Sequence, residues 1–115
     1  MVNNQRHVTA VFAALADPTR RRILVKLAED GEGPVSSLAK PFRISLPAIS
    51  RHLRVMEKAH LIHRRREGRV HMIRARPTGL QPARDWMAHY AAGLDFSFDK
   101  LDELVKNEGR KDINT

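Results

Sequence analysis

Cysteine is absent from all 115 residues, which excludes disulfides, thiolate metal sites and thiol redox switches. No apolar run approaches the roughly 18 residues of a membrane span, and no signal-peptide hydrophobic stretch precedes a cleavage-like site. The expectation is an intracellular, cytoplasmic chain with no membrane attachment. A glycine-rich phosphate loop, a Ser/His/Asp arrangement and a paired-carboxylate motif are also missing. The sequence therefore announces no catalytic cleft, and the chain is not read as an enzyme. Its histidines, His7, His52, His60, His63, His71 and His89, are scattered without tight ligand spacing, so neither a metal nor a cofactor is expected. Aromatics make up only 5% of the residues and are unevenly placed: the one Trp, the one Tyr and two of the four Phe follow Pro77.

Positive charge is plentiful. The formal charge is +8, and residues 1–76 carry 16 Lys and Arg against 6 Asp and Glu, whereas residues 77–115 carry 5 against 7. A basic body with a slightly acidic tail favours a polyanionic partner for the body. A membrane surface fits less well, because no separate basic amphipathic anchor is present. The length suits a single domain spanning 1–115 with a modest core.

The stretch from Ile44 to Leu61, ISLPAISRHLRVMEKAHL, has the pattern of one amphipathic helix. Ser45 is a good N-cap and Pro47 lies in the first turn, where a missing N–H costs little. Ile49, Leu53 and Met56 form one apolar stripe. Ala48, Ser50, Arg51, Arg54 and Lys58 cover the other directions, giving a small, polar, basic face. Such a helix can be held by a core while its other side enters a DNA major groove. An ordinary surface helix with a solvated basic face shows the same pattern. His52, three residues after Ile49, is expected half-buried, orienting its neighbours rather than reading bases.

From the start of the chain, Val8, Val11, Phe12 and Leu15 predict a first helix over 5–16. Asp17-Pro18 breaks it and opens a second, to about Ala28, with Ile23, Leu24 and Leu27 inward. Arg20, Arg21 and Arg22 cover its remaining directions, toward phosphate or simply toward water. Gly31, Gly33 and Pro34 mark a loop, and Val35, Leu38 and Ala39 a short third helix ending before Pro41. Phe42 and Ile44 look buried. Helix, tight turn and basic-faced helix is the logic of a helix-turn-helix. Residues 62–66 and 69–74 flank Glu67-Gly68 as a β-hairpin. Arg64, Arg65, Arg66 and Arg69 crowd its tip, which must project into water or against phosphate. After Pro77, Leu80, Ala83, Trp86, Met87, Tyr90, Ala91 and Leu94 predict a long last helix, with Phe96, Phe98, Leu101, Leu104 and Val105 continuing to about Lys106. Its aromatic content suggests subunit-interface material; packing on its own domain is the alternative. The fold class is mainly α with a small β-hairpin: four helices, the hairpin and a fifth helix.

The residues from Val11 to Pro77 resemble the arsenic-repressor-like (ArsR/SmtB) family of bacterial winged-helix regulators. The resemblance rests on Phe12-Ala-Ala-Leu-Ala-Asp-Pro-Thr-Arg, on Ser50-Arg-His-Leu and on Arg66-Glu-Gly-Arg. It implies a winged helix-turn-helix with a DNA-reading core over 18–76 and a homodimer built on helices 5–16 and 79–106. It also implies recognition helices in successive major grooves, wings on the flanking backbone, and repression relieved by a signal. The chain departs from metal-sensing members: Pro34, Val35 and Ser36 stand where a Cys-x-Cys box would be. Ala59-His60 replaces the usual glycine before the hairpin. Asp85 and His89 share a helical face, but the second ligand pair that the family's other metal site needs is missing.

The candidate base-reading set is Ser45, Pro47, Ala48, Ser50, Arg51 and Arg54, where small side chains permit close approach and Arg51 suits guanine. Arg64, Arg65, Arg66 and Arg69 are the backbone set. Val8, Val11, Phe12, Trp86, Met87, Tyr90 and Leu94 are the dimer seam. The partners expected are a palindromic double-stranded operator and a second copy of the chain, with the inducer undefined. A nonspecific architectural or protein-interaction module on the same fold is the rival reading.

Overall fold

Asp17 and Pro18 make the first corner in the computed structural model, which describes residues 2–93 and 102–108. α1 spans Val2–Leu15 and α2 spans Pro18–Asp30. Asp17 is extended (φ −92°, ψ 126°), and its carboxylate accepts the backbone N–H of Arg20 at 3.0 Å. Pro18 takes the first helical position, where no N–H is needed. The N–H of Arg20 is the main reason the Asp17 carboxyl is held below its ordinary range. Gly31, at φ 81°, closes α2, with its N–H on the Leu27 carbonyl at 2.9 Å.

The expected loop then contains a short strand, β1, at Gly33–Pro34. α3 follows at Val35–Ala39, then a single 3-10 turn at Lys40–Phe42 and Arg43 in the left-handed region (φ 54°). α4, Leu46–Lys58, begins where the Ser45 hydroxyl accepts the Ala48 N–H at 3.3 Å. β2 (Ile62–Glu67) and β3 (Val70–Ala75) form the hairpin, turning at Gly68 (φ 63°). A 3-10 turn at Pro77–Leu80 leads into α5, Gln81–Gly93. A further helical stretch covers 102–108.

The sheet order is β1-β3-β2, antiparallel throughout, with Arg64 opposite Ile73 and Glu67 opposite Val70. β1 adds Gly33 opposite Ile73 and Pro34 opposite Met72. The wing is thus three-stranded, and Pro34 is tolerated because it sits on an edge. α1 begins earlier than expected, at Val2 rather than near Gln5.

The backbone falls into two units, Met1–Ala83 and Arg84–Thr115. The first has one apolar core, in which Val11, Ile23, Ile49, Leu53, Met56 and Ile73 are fully buried. Burial of each such side chain contributes roughly 1.5–3 kcal/mol. Phe42 and Ile44 are only half-buried against this core, less than expected.

α4 ends tightly. Leu61 N–H bonds the Met56 carbonyl and His60 N–H bonds the Glu57 carbonyl, each at 3.0 Å, with His60 left-handed (φ 58°). This is a Schellman closure with histidine where glycine is usual, and buried Met56 and Leu61 supply its apolar contact.

Candidate nucleic-acid interface

α4 splits as its sequence pattern implies. Ile49, Leu53 and Met56 are fully buried, while Ser45, Pro47, Arg51 and Arg54 are exposed and Ala48 and Ser50 half-buried. Leu46 is a residue the sequence reading missed. It lies in phase with the buried stripe yet is 55% exposed, because the first turn of α4 extends past the core. An exposed leucine there is suited to a thymine methyl.

His52 is half-buried, as expected, and ties α4 to the first corner. Its Nδ1 lies 3.3 Å from an Arg20 guanidinium nitrogen and 4.0 Å from the Asp17 carboxylate. Arg20 also donates to the carbonyls of Ala14 (2.8 Å) and Ala13 (3.1 Å), and Arg21 to that of Leu15 (2.6 Å). Two of the three consecutive arginines therefore close the C-terminal end of α1, where cations are favoured.

The four wing arginines are not equivalent. Arg64 donates to Glu57 at 3.3 Å. Arg65 grips Glu32 through Nε (3.0 Å to both oxygens) and a terminal nitrogen (2.6 Å), and meets Glu67 at 3.2 Å. The Arg65 hydrogen bonds lower the Glu32 carboxyl below its ordinary range, and Glu32 in turn raises Arg65. Arg66 and Arg69, exposed at the tip, have no ion-pair or hydrogen-bond partner among the described residues. Arg51 and Arg54 are likewise unpaired there, as are Lys40 and Arg43 in the turn before α4. Lys40 and Arg43 escaped the sequence reading because they stand in a turn, outside any periodic pattern.

The seam candidates also divide. Val11 is fully buried in the core of its own unit, so it offers no surface, a correction to its place in the seam. Val8 is half-buried and Phe12 exposed. In α5, Trp86 (51%), Met87 and Tyr90 (57%) are exposed, and the Trp86 and Tyr90 rings stack with centroids 5.5 Å apart at 9°. Leu94 lies outside the described residues, as do Phe96, Phe98 and Leu101. Helix α5 is described as far as Gly93, and 94–101 of the long helix expected to run to about Lys106 lie outside the described residues. Among the described residues no three His, Asp or Glu side chains gather as a metal would require.

A short helix and a turn before a basic-faced helix, followed by a twisted hairpin with free arginines at its tip, define a winged helix-turn-helix protein. Residues 17–64 match the model of "Bacterial regulatory protein, arsR family". The chain is 38% identical over 80 residues to the transcriptional repressor SdpR of Bacillus subtilis, covering 70% of this chain and 88% of that one. A crystal structure of an ArsR family transcriptional regulator superposes with a TM-score of 0.73 at 32% identity, covering 79% of this chain and 93% of the other. The homodimeric winged helix-turn-helix DNA-binding domain of a Mycobacterium bovis protein, described as a possible ArsR-family regulator, gives 0.60 at 29%, covering 77% and 80%. The chain belongs to the arsR family, whose members are DNA-binding transcriptional regulators and not enzymes.

Proposed function

We propose that the protein is a cytoplasmic, dimeric repressor that reads a palindromic operator through α4 and is released from it by a signal. The observation that carries this reading is the division of α4 into a fully buried stripe and an exposed face of Leu46, Pro47, Arg51 and Arg54 whose arginines are unpaired among the described residues. Ser45, Ala48 and Ser50 keep that face shallow, so the backbone approaches the bases. Arg66 and Arg69 neutralise flanking phosphates, joined by Lys40 and Arg43. Arg64 and Arg65 brace the wing rather than contact DNA. Phe12, Trp86, Met87 and Tyr90 form the seam, and the dimer sets the half-site spacing.

Support over a nonspecific architectural module comes from the named repressor among the relatives and from the mixed, not uniformly cationic, face of α4. No described helix is long and apolar enough to cross a membrane, which fits a cytoplasmic regulator. The absent cysteine box argues for an inducer other than a thiolate-bound metal. Genome-wide mapping of binding sites tests the proposal. A short two-fold motif recurring in promoters is expected; binding spread without a motif would favour the architectural module.

A further inference from the structure

The unpaired cations of α4 and the wing do not exhaust the free positive charge. Arg6, His7, Ala10, Lys58 and His60 line a hollow of about 420 Å³ between the first half of α1 and the C-terminal end of α4. That volume is in the range of small-molecule sites. His7 Nε2 donates to the Ala59 carbonyl at 3.1 Å, and the His7 and His60 rings meet edge-on at 4.8 Å, so this wall is built and not merely charged. No carboxylate lines the hollow among the described residues.

Cations at a helix C-terminus ordinarily serve its last carbonyls. Here three of the last four, those of Val55, Met56 and Glu57, are already occupied. Val55 accepts from Ala59, Met56 from Leu61 and Glu57 from His60, while Ala59 accepts from His7. Arg6 and Lys58 have no hydrogen-bond or ion-pair partner among the described residues, in contrast to Arg20, Arg21, Arg64 and Arg65.

We propose that this hollow binds a small polyvalent oxyanion, such as a di- or tricarboxylate or a phosphate ester. Arg6 presents a planar fork suited to one edge of a carboxylate or phosphate, and Lys58 a point charge. His7, with Nε2–H committed to Ala59, leaves Nδ1 for the ligand or a bridging water. Four basic groups from two chain segments, the start of α1 and the end of α4, converge on one hollow and suit a compact multivalent ligand. The site stands on this convergence alone, and does not depend on which DNA the protein reads.

The test uses the free full-length protein at constant ionic strength, titrated with citrate and separately with inorganic phosphate. Calorimetry should show one saturable site per chain in at least one arm, and that arm names the anion class. Amide NMR shifts should centre on Arg6, His7, Lys58 and His60. Lys58→Gln or Arg6→Gln should weaken binding about tenfold, the scale of one charge-assisted hydrogen bond. Arg22→Gln, which removes an equal charge from exposed α2, should leave it unchanged. Both anions failing to saturate, shifts spread evenly over the basic surface, or binding indifferent to Lys58→Gln would each overturn the proposal. So would a Lys58→Gln variant that keeps anion binding and loses only duplex affinity, which would make Lys58 a DNA-backbone contact.

Discussion

Gly79 packs so closely on His60 that a β-carbon there would lie 1.9 Å from the His60 carbonyl oxygen. The obstructing atom is backbone, and His60 itself sits left-handed at the closure of α4. The same close approach links the end of α4 to the turn that leads into α5. Gly79→Ala should destabilise by at least about 1–3 kcal/mol, the usual cost of overpacking. His60→Gly should do the opposite, stabilising by up to about 1 kcal/mol as left-handed strain is relieved. Urea unfolding of both variants checks the pair; an undisturbed Gly79→Ala would mean the two backbones can separate freely.

Asp17 gives a pH-dependent prediction. Its carboxyl is held below the ordinary value of 3.8, chiefly by the Arg20 N–H. A carboxyl lowered on folding contributes stability that is present above its unfolded value and disappears as pH falls through the folded one. Asp17→Ala should therefore cost about 0.5–2 kcal/mol at neutral pH, as loss of an N-cap does. The gap to wild type should narrow below about pH 4. Unfolding curves across roughly pH 2–7 read this, and a constant gap would assign the loss to something other than the charged cap.

The wing separates two kinds of arginine. Arg66→Ala or Arg69→Ala should weaken binding to all duplexes alike and reduce the salt slope by about 1 for each phosphate left without its cation. Arg65→Ala should leave the slope nearly unchanged, because Glu32 already holds that guanidinium. Glu32→Gln should release it and steepen the slope. Identical slopes for Arg65→Ala and Arg66→Ala would contradict the division.

Much of the fold is legible in the sequence because it is periodic or chemically punctuated. The stripe of Ile49, Leu53 and Met56, the caps at Asp17 and Ser45, and the Gly68 turn are each local signals. β1 is not legible, since two residues, Gly33 and Pro34, carry no alternation and owe their strand state to β3. The pairing of Arg65 with Glu32 is equally hidden, because 33 positions separate residues that only the folded sheet brings together. The exposure of Leu46 is hidden for another reason: it is in phase with the buried stripe, and phase says nothing about where the core ends.

The proposed seam predicts a stable dimer without DNA. Exposed Trp86, Met87 and Tyr90 in a monomer would leave a sticky apolar surface of a kind soluble proteins usually cover. A specific interface there should bury upwards of about 1,000 Å². Sedimentation equilibrium at micromolar concentration should return twice the 13.1 kDa of one chain. Tyr90→Asp should shift the protein to monomer and abolish binding to a palindromic duplex while single half-sites are still bound weakly. A wild-type monomer would require another explanation for the stacked Trp86 and Tyr90.

Base reading by the exposed face of α4 is tested most directly by competing a mapped operator against a scrambled duplex of equal length at one fixed salt concentration. The wild type should prefer the operator by about 10³-fold or more. Arg51→Ala should remove roughly 1–3 kcal/mol of that preference while scarcely changing affinity for the scrambled duplex. Equal losses on both duplexes would make Arg51 a phosphate contact, and equal wild-type affinity for both would contradict sequence-specific reading by α4.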